Sequence, residues 1–223
     1  MRRALLLVLA AVALAAGCGG GDDAAEGTVE QLRIAYTSGS RTLTADTWTL
    51  QGGADAASRS RLRDGGAVTS DVALRDGFVS LYTPEAGGVV QSPAGSAPVT
   101  EPFGIADALA DAGDLAAAGT VERDGRTLEA FTGPAEPFVL GDGDGRVTPA
   151  GAEVRYLRDR DTGQPVELRI PAVRIAADGA GSAALPAQRY VVDEYREYPA
   201  TEEAMGVFDL SAAYDGAGVT TGP

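Results

Sequence analysis

Between Ala67 and Arg75 the chain alternates Val68, Val72 and Leu74 with Thr69, Asp71, Ala73 and Arg75. That two-residue period predicts a strand with one apolar face. The runs Arg59 to Arg63 and Phe78 to Thr83 flank it across Asp64-Gly65-Gly66 and Asp76-Gly77. Asp-Gly between alternating runs is a hairpin cue, so the three runs predict a meander, with Val89-Val90 as a further short strand. Hairpins are also predicted for Thr120 to Thr132 around Asp124-Gly125, and for Val154 to Ile170 around Asp159 to Gln164. Arg174 to Ala176 and Arg189 to Tyr198 are expected to complete a meander across Asp178-Gly179. Arg41 to Leu50 is rich in Thr and carries Trp48, a strand by propensity. Thr28 to Tyr36 reads two ways: as two helical turns, or as a strand with Leu32, Ile34 and Tyr36 on one face. Ser92 to Pro102 holds three prolines and reads as a loop. Ile105 to Leu115 has apolar residues at 105, 108, 109 and 112, the spacing of a short amphipathic helix. Gly206 to Leu210 is short and apolar at Val207, Phe208 and Leu210. The whole predicts a mainly β (α+β) domain of about nine to eleven strands with one helix.

The first residues follow another pattern. Met1-Arg2-Arg3 precedes an unbroken apolar run from Ala4 to Ala16. The run is too short for a stable bilayer-spanning helix and suits the apolar region of a signal peptide. Leu14-Ala15-Ala16-Gly17-Cys18 resembles a bacterial lipobox. The resemblance implies cleavage between Gly17 and Cys18, diacylglycerol on the Cys18 sulfur with a palmitate-type acyl group, and a mature protein on the outer face of the cytoplasmic membrane. The alternative is a non-lipidated signal peptide that happens to contain a cysteine. The expected organisation is a signal peptide at 1–17, a flexible acidic tether at 18–27, a single domain at 28–214 and a frayed tail at 215–223.

Composition narrows the chemistry. There is no His, and the 18 basic residues are all Arg; Asn is absent and Cys18 is the sole cysteine. Ser-His-Asp and Cys-His nucleophiles, Schiff bases, and zinc sites of His or Cys are therefore excluded. A net charge of −14 argues against nucleic acid as a partner, because phosphates need a basic face. Asp142, Asp144 and Glu153 fall at calcium-loop spacing, but Arg146 and Val147 occupy positions that need a ligand and a glycine. The reading is an acidic surface loop with no metal, and no cofactor is implied. With 32 acidic residues a carboxylate-based hydrolase stays open as a remote alternative, although no spacing singles out a pair.

Several strands look apolar on both faces, which one thin core cannot absorb. A second apolar surface, covered by a helix, is where a lipid could lie. By alternation, the expected ligand-lining residues are Trp48, Val72, Leu74, Phe78, Tyr82, Tyr156, Leu168, Ile170 and Val192, with the intervening acids and arginines on the wet face. Three motifs give the surface a precedent: Asp76-Gly77-Phe78-Val79-Ser80-Leu81-Tyr82-Thr83-Pro84 followed by Val89-Val90, Val154 to Pro165, and Arg189 to Thr201. In this order behind a lipobox they resemble the superfamily of the bacterial lipoprotein carrier. Its relatives include mycobacterial glycolipid-binding lipoproteins and periplasmic regulators of anti-sigma factors. The resemblance covers about residues 40 to 210 and implies an incomplete antiparallel barrel wrapped around helices, with an apolar cavity for acyl chains. The expected function is a non-enzymatic, membrane-tethered lipoprotein that binds or transfers lipids or acylated ligands, with the helix near Ile105 to Leu115 gating entry. The alternative is a sensory protein contacting a membrane partner such as an anti-sigma factor.

Overall fold

The computed structural model describes residues 27–52, 57–93, 102–140, 146–177, 181–214 and 218–221. The signal peptide, Gly17, Cys18 and the Asp142 and Asp144 loop positions lie outside the described residues.

The first half of the chain is a run of neighbouring strands: β1 (Thr28–Ser38), β2 (Arg41–Gln51), β3 (Ser58–Asp64), β4 (Ala67–Arg75), β5 (Phe78–Thr83) and β6 (Gly88–Pro93). Helix α1 (Pro102–Ala112) follows, then β7 (Ala116–Arg123), β8 (Arg126–Pro134) and the single turn α2 (Glu136–Val139). Next come β9 (Arg146–Thr148), β10 (Glu153–Asp159), β11 (Pro165–Ile170), β12 (Val173–Ala177), β13 (Gly181–Leu185) and β14 (Gln188–Pro199). The chain closes with α3 (Glu202–Met205), a 3-10 turn at Gly206–Phe208, α4 (Leu210–Ala213) and β15 (Gly218–Thr221). Twelve strands form one open sheet in the order β15-β6-β5-β4-β3-β2-β1-β14-β11-β10-β8-β7, antiparallel except for β15 on β6. It does not close into a barrel. β13, β12 and β9 make a separate three-stranded sheet.

The two-way reading of Thr28 to Tyr36 resolves as strand. β1 lies between β2 and β14, so both its edges are paired along its whole length. A helix there would forfeit two ladders. The expected meander from Arg174 to Tyr198 is not formed: β12 turns back onto β13 and β9, while β14 crosses to β1 and β11 in the large sheet. The expected frayed tail contains β15, which pairs with β6. α1 starts three residues earlier than its apolar spacing predicts and stops earlier too. Pro102 suits a first turn, where its missing N–H is not needed, and Gly113 takes a left-handed φ of 82° just past the end. The backbone N–H of Asp114 then bonds the Leu109 carbonyl at 2.8 Å.

The two faces of the large sheet are covered by different things. On the inner face, α1 buries Phe103 and Ala106 against Leu32, Ile34, Tyr156, Leu168 and Ile170, the largest core cluster. On the outer face, the C-terminal segment buries Phe208 against Val29, Trp48 and Ala200, and Leu210 against Ala73 and Val89. The charged residues expected on a wet face are here covered or half-covered. Asp71 is fully buried and accepts from Arg59 Nε (2.8 Å) and Nη2 (2.6 Å), Arg61 Nε (2.7 Å) and the Tyr214 hydroxyl (2.7 Å). Arg59 Nη1 also donates to the Val207 carbonyl, tying the C-terminal segment to the sheet. Asp46 holds Arg33 and Arg63 at 2.9 Å each. A chain without lysine makes these contacts with guanidinium forks, which suit bidentate carboxylate pairing.

The third cluster sets an acid limit on stability. Glu167 is buried between Arg123, Arg169 and Arg189. Burial opposes its ionisation, but hydrogen bonds from Arg189, Arg169 and Arg123 override this and hold its carboxyl at about 2, against an ordinary 4.5. A carboxyl depressed in the folded state stabilises fully above pH 4.5, and that contribution drains away as pH falls towards 2. Denaturant midpoints taken from pH 6 to pH 2.5 should therefore fall steeply below 4.5. In Glu167→Gln the curve should start lower, by about 3 kcal/mol, and be flatter. An unchanged slope in the variant would remove Glu167 from the explanation.

Candidate functional site

Residues directly opposite each other in paired strands share a face. The registers place Leu32 opposite Thr47 and Ile34 opposite Ala45; further along, Thr47 faces Ser60, Ala45 faces Leu62, and Ser58 faces Leu74. These side chains form the inner face of β1 to β4. α1 covers only part of it. Its N-terminal turn, Pro102 to Gly104, stands against the sheet and leaves a cavity of about 680 Å³ between them. Leu32, Ile34, Ala45, Leu62, Leu74 and Phe103 supply its apolar walls. Thr47, Thr49, Ser58 and Ser60 add hydroxyls, and Glu30, Gln51 and Asp107 bring the stronger polar groups. Tyr36 and Tyr190 border it as a stacked pair, with ring centroids 4.8 Å apart.

Asp107 extends from α1 to the Tyr156 hydroxyl, which donates to its Oδ1 at 2.5 Å. Burial raises its carboxyl above the ordinary 3.8; Tyr156 and Arg158 pull the other way and Asp111 adds to the rise. Glu30 accepts from Gln51 Nε2 at 3.2 Å. Burial raises this carboxyl as well, against the Gln51 bond, and the charges of Asp107 and Glu197 reinforce it. Among the described residues no cluster of three metal-ligating side chains occurs.

The nine residues expected from alternation divide four ways. Leu74 and Trp48 line the cavity, although the Trp48 ring itself packs into the outer-face cluster, with the Arg59 and Arg61 guanidiniums each 5.4 Å from its centroid. Tyr156, Leu168 and Ile170 are buried core beneath α1 on the same inner face, and Val192 packs against them. Val72 shares the inner face with Leu74, opposite Ser60. Phe78 and Tyr82 are on the other side. Phe78 is 49% exposed at the β4–β5 turn, and Tyr82 stacks on Tyr214 with centroids 3.7 Å apart.

That correction has a definite cause. Asp76 and Gly77 both have positive φ (54° and 76°) and close a two-residue hairpin that pairs Arg75 with Phe78. Parity then flips across the turn. Leu74 faces Val79 and Val72 faces Leu81, while Phe78 and Tyr82 join Asp71 and Ala73 on the outer face. The same Asp-Gly signal that predicted the hairpin could have given this. The expected set also lacks Leu32 and Ile34, which lie in a run that reads as helix or strand, and Asp107, which no local pattern marks.

No protein-family model matches the chain, and no curated protein does. Among solved structures, an uncharacterised conserved protein from Thermus thermophilus is similar over 88% of this chain and 92% of its own, with a TM-score of 0.51 at 14% identity, and shares the fold. Other similar structures include the Pseudomonas aeruginosa MucA/MucB complex (TM-score 0.42, 17% identity, 80% of this chain and 54% of that one). The lipoprotein LppX of Mycobacterium tuberculosis is another (TM-score 0.38, 14% identity, 76% and 87%).

Proposed function

We propose that the protein is a non-enzymatic lipoprotein, tethered through Cys18 on the outer face of the cytoplasmic membrane, that binds lipids or acylated ligands in the cavity between β1 to β4 and α1. The observation that carries this reading is the cavity itself. It is walled by Leu32, Ile34, Leu62, Leu74 and Phe103. Apolar walls around unfilled space are unfavourable unless something apolar occupies it, because the lining atoms lack partners on one side. An acyl chain supplies those partners at about 0.8 kcal/mol per buried CH₂. Tyr156, Leu168, Ile170 and Val192 back the cavity rather than touch its contents. The N-terminal turn of α1 is the wall whose displacement would widen the mouth, and we assign it the gate.

Two experiments test this. A homologous series of n-alkanols competing with a fluorescent apolar probe should bind about fourfold tighter per added methylene until the cavity is full, then level off. Absence of saturable probe binding would overturn the lipid reading in favour of a contact with a protein partner. Separately, Cys18→Ser should release the protein from membranes. Retention of that variant on membranes washed in high salt would contradict the anchor.

A further inference from the structure

The polar end of any molecule in the cavity has to meet the groups that border it. Two carboxylates do so from opposite sides, Glu30 on β1 and Asp107 on α1. Among the described residues neither has a cation to itself. Glu30 accepts from neutral Gln51 and sits opposite Glu197 of β14, whose own neighbour is the Tyr195 hydroxyl at 3.4 Å. Asp107 accepts from Tyr156 and has Arg158 Nη1 at 3.7 Å. That guanidinium is shared: it is 3.0 Å from Asp111, 3.4 Å from Glu129, and lies over the Phe131 ring. Arg59 is the one arginine among the described lining residues. Its Nε and Nη2 donate to Asp71 and its Nη1 to the Val207 carbonyl, on the outer side of the sheet. What remains to greet a ligand is a set of acceptors and hydroxyls with excess negative charge.

On the reading above, we infer that this cavity discriminates by head-group charge: it takes apolar chains whose polar end is a hydrogen-bond donor, uncharged or cationic, and turns away anionic ones. A fatty-acid carboxylate or a phosphate would be a further negative charge beside Glu30 and Asp107, in a place where burial already disfavours charge on the two acids present. A hydroxyl or ammonium can instead donate to the same oxygens. Glu30 and Asp107 are thus selectivity residues, and the apolar walls are the source of affinity.

The test uses three molecules with one chain. Dodecanol, dodecylammonium and dodecanoate, each below its aggregation threshold, compete with N-phenyl-1-naphthylamine for the purified protein at pH 7.5. Dodecanoate should bind about tenfold or more weaker than dodecanol at low salt, with the gap narrowing as salt screens the mouth. Dodecylammonium should match or exceed dodecanol. Glu30→Gln with Asp107→Asn keeps the shapes and the acceptors for Gln51 and Tyr156. It should bring dodecanoate close to dodecanol, and the readout is the ratio of the two affinities, which a merely structural change would not move. Equal binding of dodecanol and dodecanoate to the natural protein, or a gap that survives the double substitution, overturns the charge selectivity and leaves the lipid-binding reading standing. Failure of all three to displace the probe, or failure of the probe to bind, overturns both.

Discussion

Asp71→Asn is expected to destabilise the fold by about 3–5 kcal/mol, the largest effect of any single change considered. Asp71 and Arg59 are 0% and 2% exposed at their side chains, so both charges have been taken out of water and each depends on the other. Two Arg59 nitrogens and one from Arg61 converge on the Asp71 carboxylate together with the Tyr214 hydroxyl. The amide keeps the shape but removes the charge, offers one acceptor in place of two, and turns an N–H₂ towards donors. Arg59 is left buried and uncompensated. Its Nη1 bond to Val207 and the Tyr214 bond to Asp71 help to fasten the C-terminal segment, so the loss should be felt first there. In a domain of this size about 3–5 kcal/mol corresponds to a fall in Tm of roughly 10 °C or more. Urea unfolding followed by the emission of Trp48, the protein's one tryptophan, reads it directly. Arg41→Gln removes an exposed pair with Asp64 and serves as the control, with an expected change under about 0.5 kcal/mol. Equal stability of Asp71→Asn and Arg41→Gln would mean that the buried cluster does not hold the fold together.

The second large effect concerns binding. Ser60→Trp should weaken capture of an apolar probe about a hundredfold while leaving stability equal to, or slightly above, that of the natural protein. Ser60 lies mid-strand on β3, opposite Thr47 and Val72, and its side chain lines the cavity. An indole there fills space a ligand would use. Displacing three or four methylenes from burial costs about 3 kcal/mol, which is about two orders of magnitude in affinity. Aromatic residues suit strands, and filling a void adds contacts, so folding should not suffer. The combination separates a ligand site from ordinary core. A substitution that overpacked a filled core would lower stability by about 1–3 kcal/mol, and that outcome would show there was no space to fill.

Much of the architecture can be read in the chain because its cues are local. Alternation at Ala67 to Arg75 and the Asp-Gly pairs at 76–77 and 124–125 specify strands and two-residue turns from neighbouring residues alone. What escapes depends on partners distant in sequence. β1 reads as helix or strand until β14, more than 150 residues on, pairs with it. Arg59 and Asp71 read as wet because nothing near them reveals that Val207, Phe208 and Tyr214 will cover them. Within the candidate site, the inner-face residues Leu74, Tyr156, Leu168 and Ile170 follow from parity. Phe78 and Tyr82 do not, because the hairpin at Asp76-Gly77 reverses parity. Asp107 is legible as one polar residue on an amphipathic helix, but its approach to Tyr156 is purely tertiary.

Occupation of the cavity beneath α1 by an apolar ligand is tested most directly by mass spectrometry of organic-solvent extracts from the anchor-free Cys18→Ser protein, purified without added detergent from cells that make it. Extracts of Cys18→Ser should contain a stoichiometric amount of one class of acylated molecule, strongly depleted from extracts of Cys18→Ser carrying Ser60→Trp prepared in parallel. Equal amounts from both proteins, or no acylated molecule from either while Cys18→Ser remains folded, would contradict it.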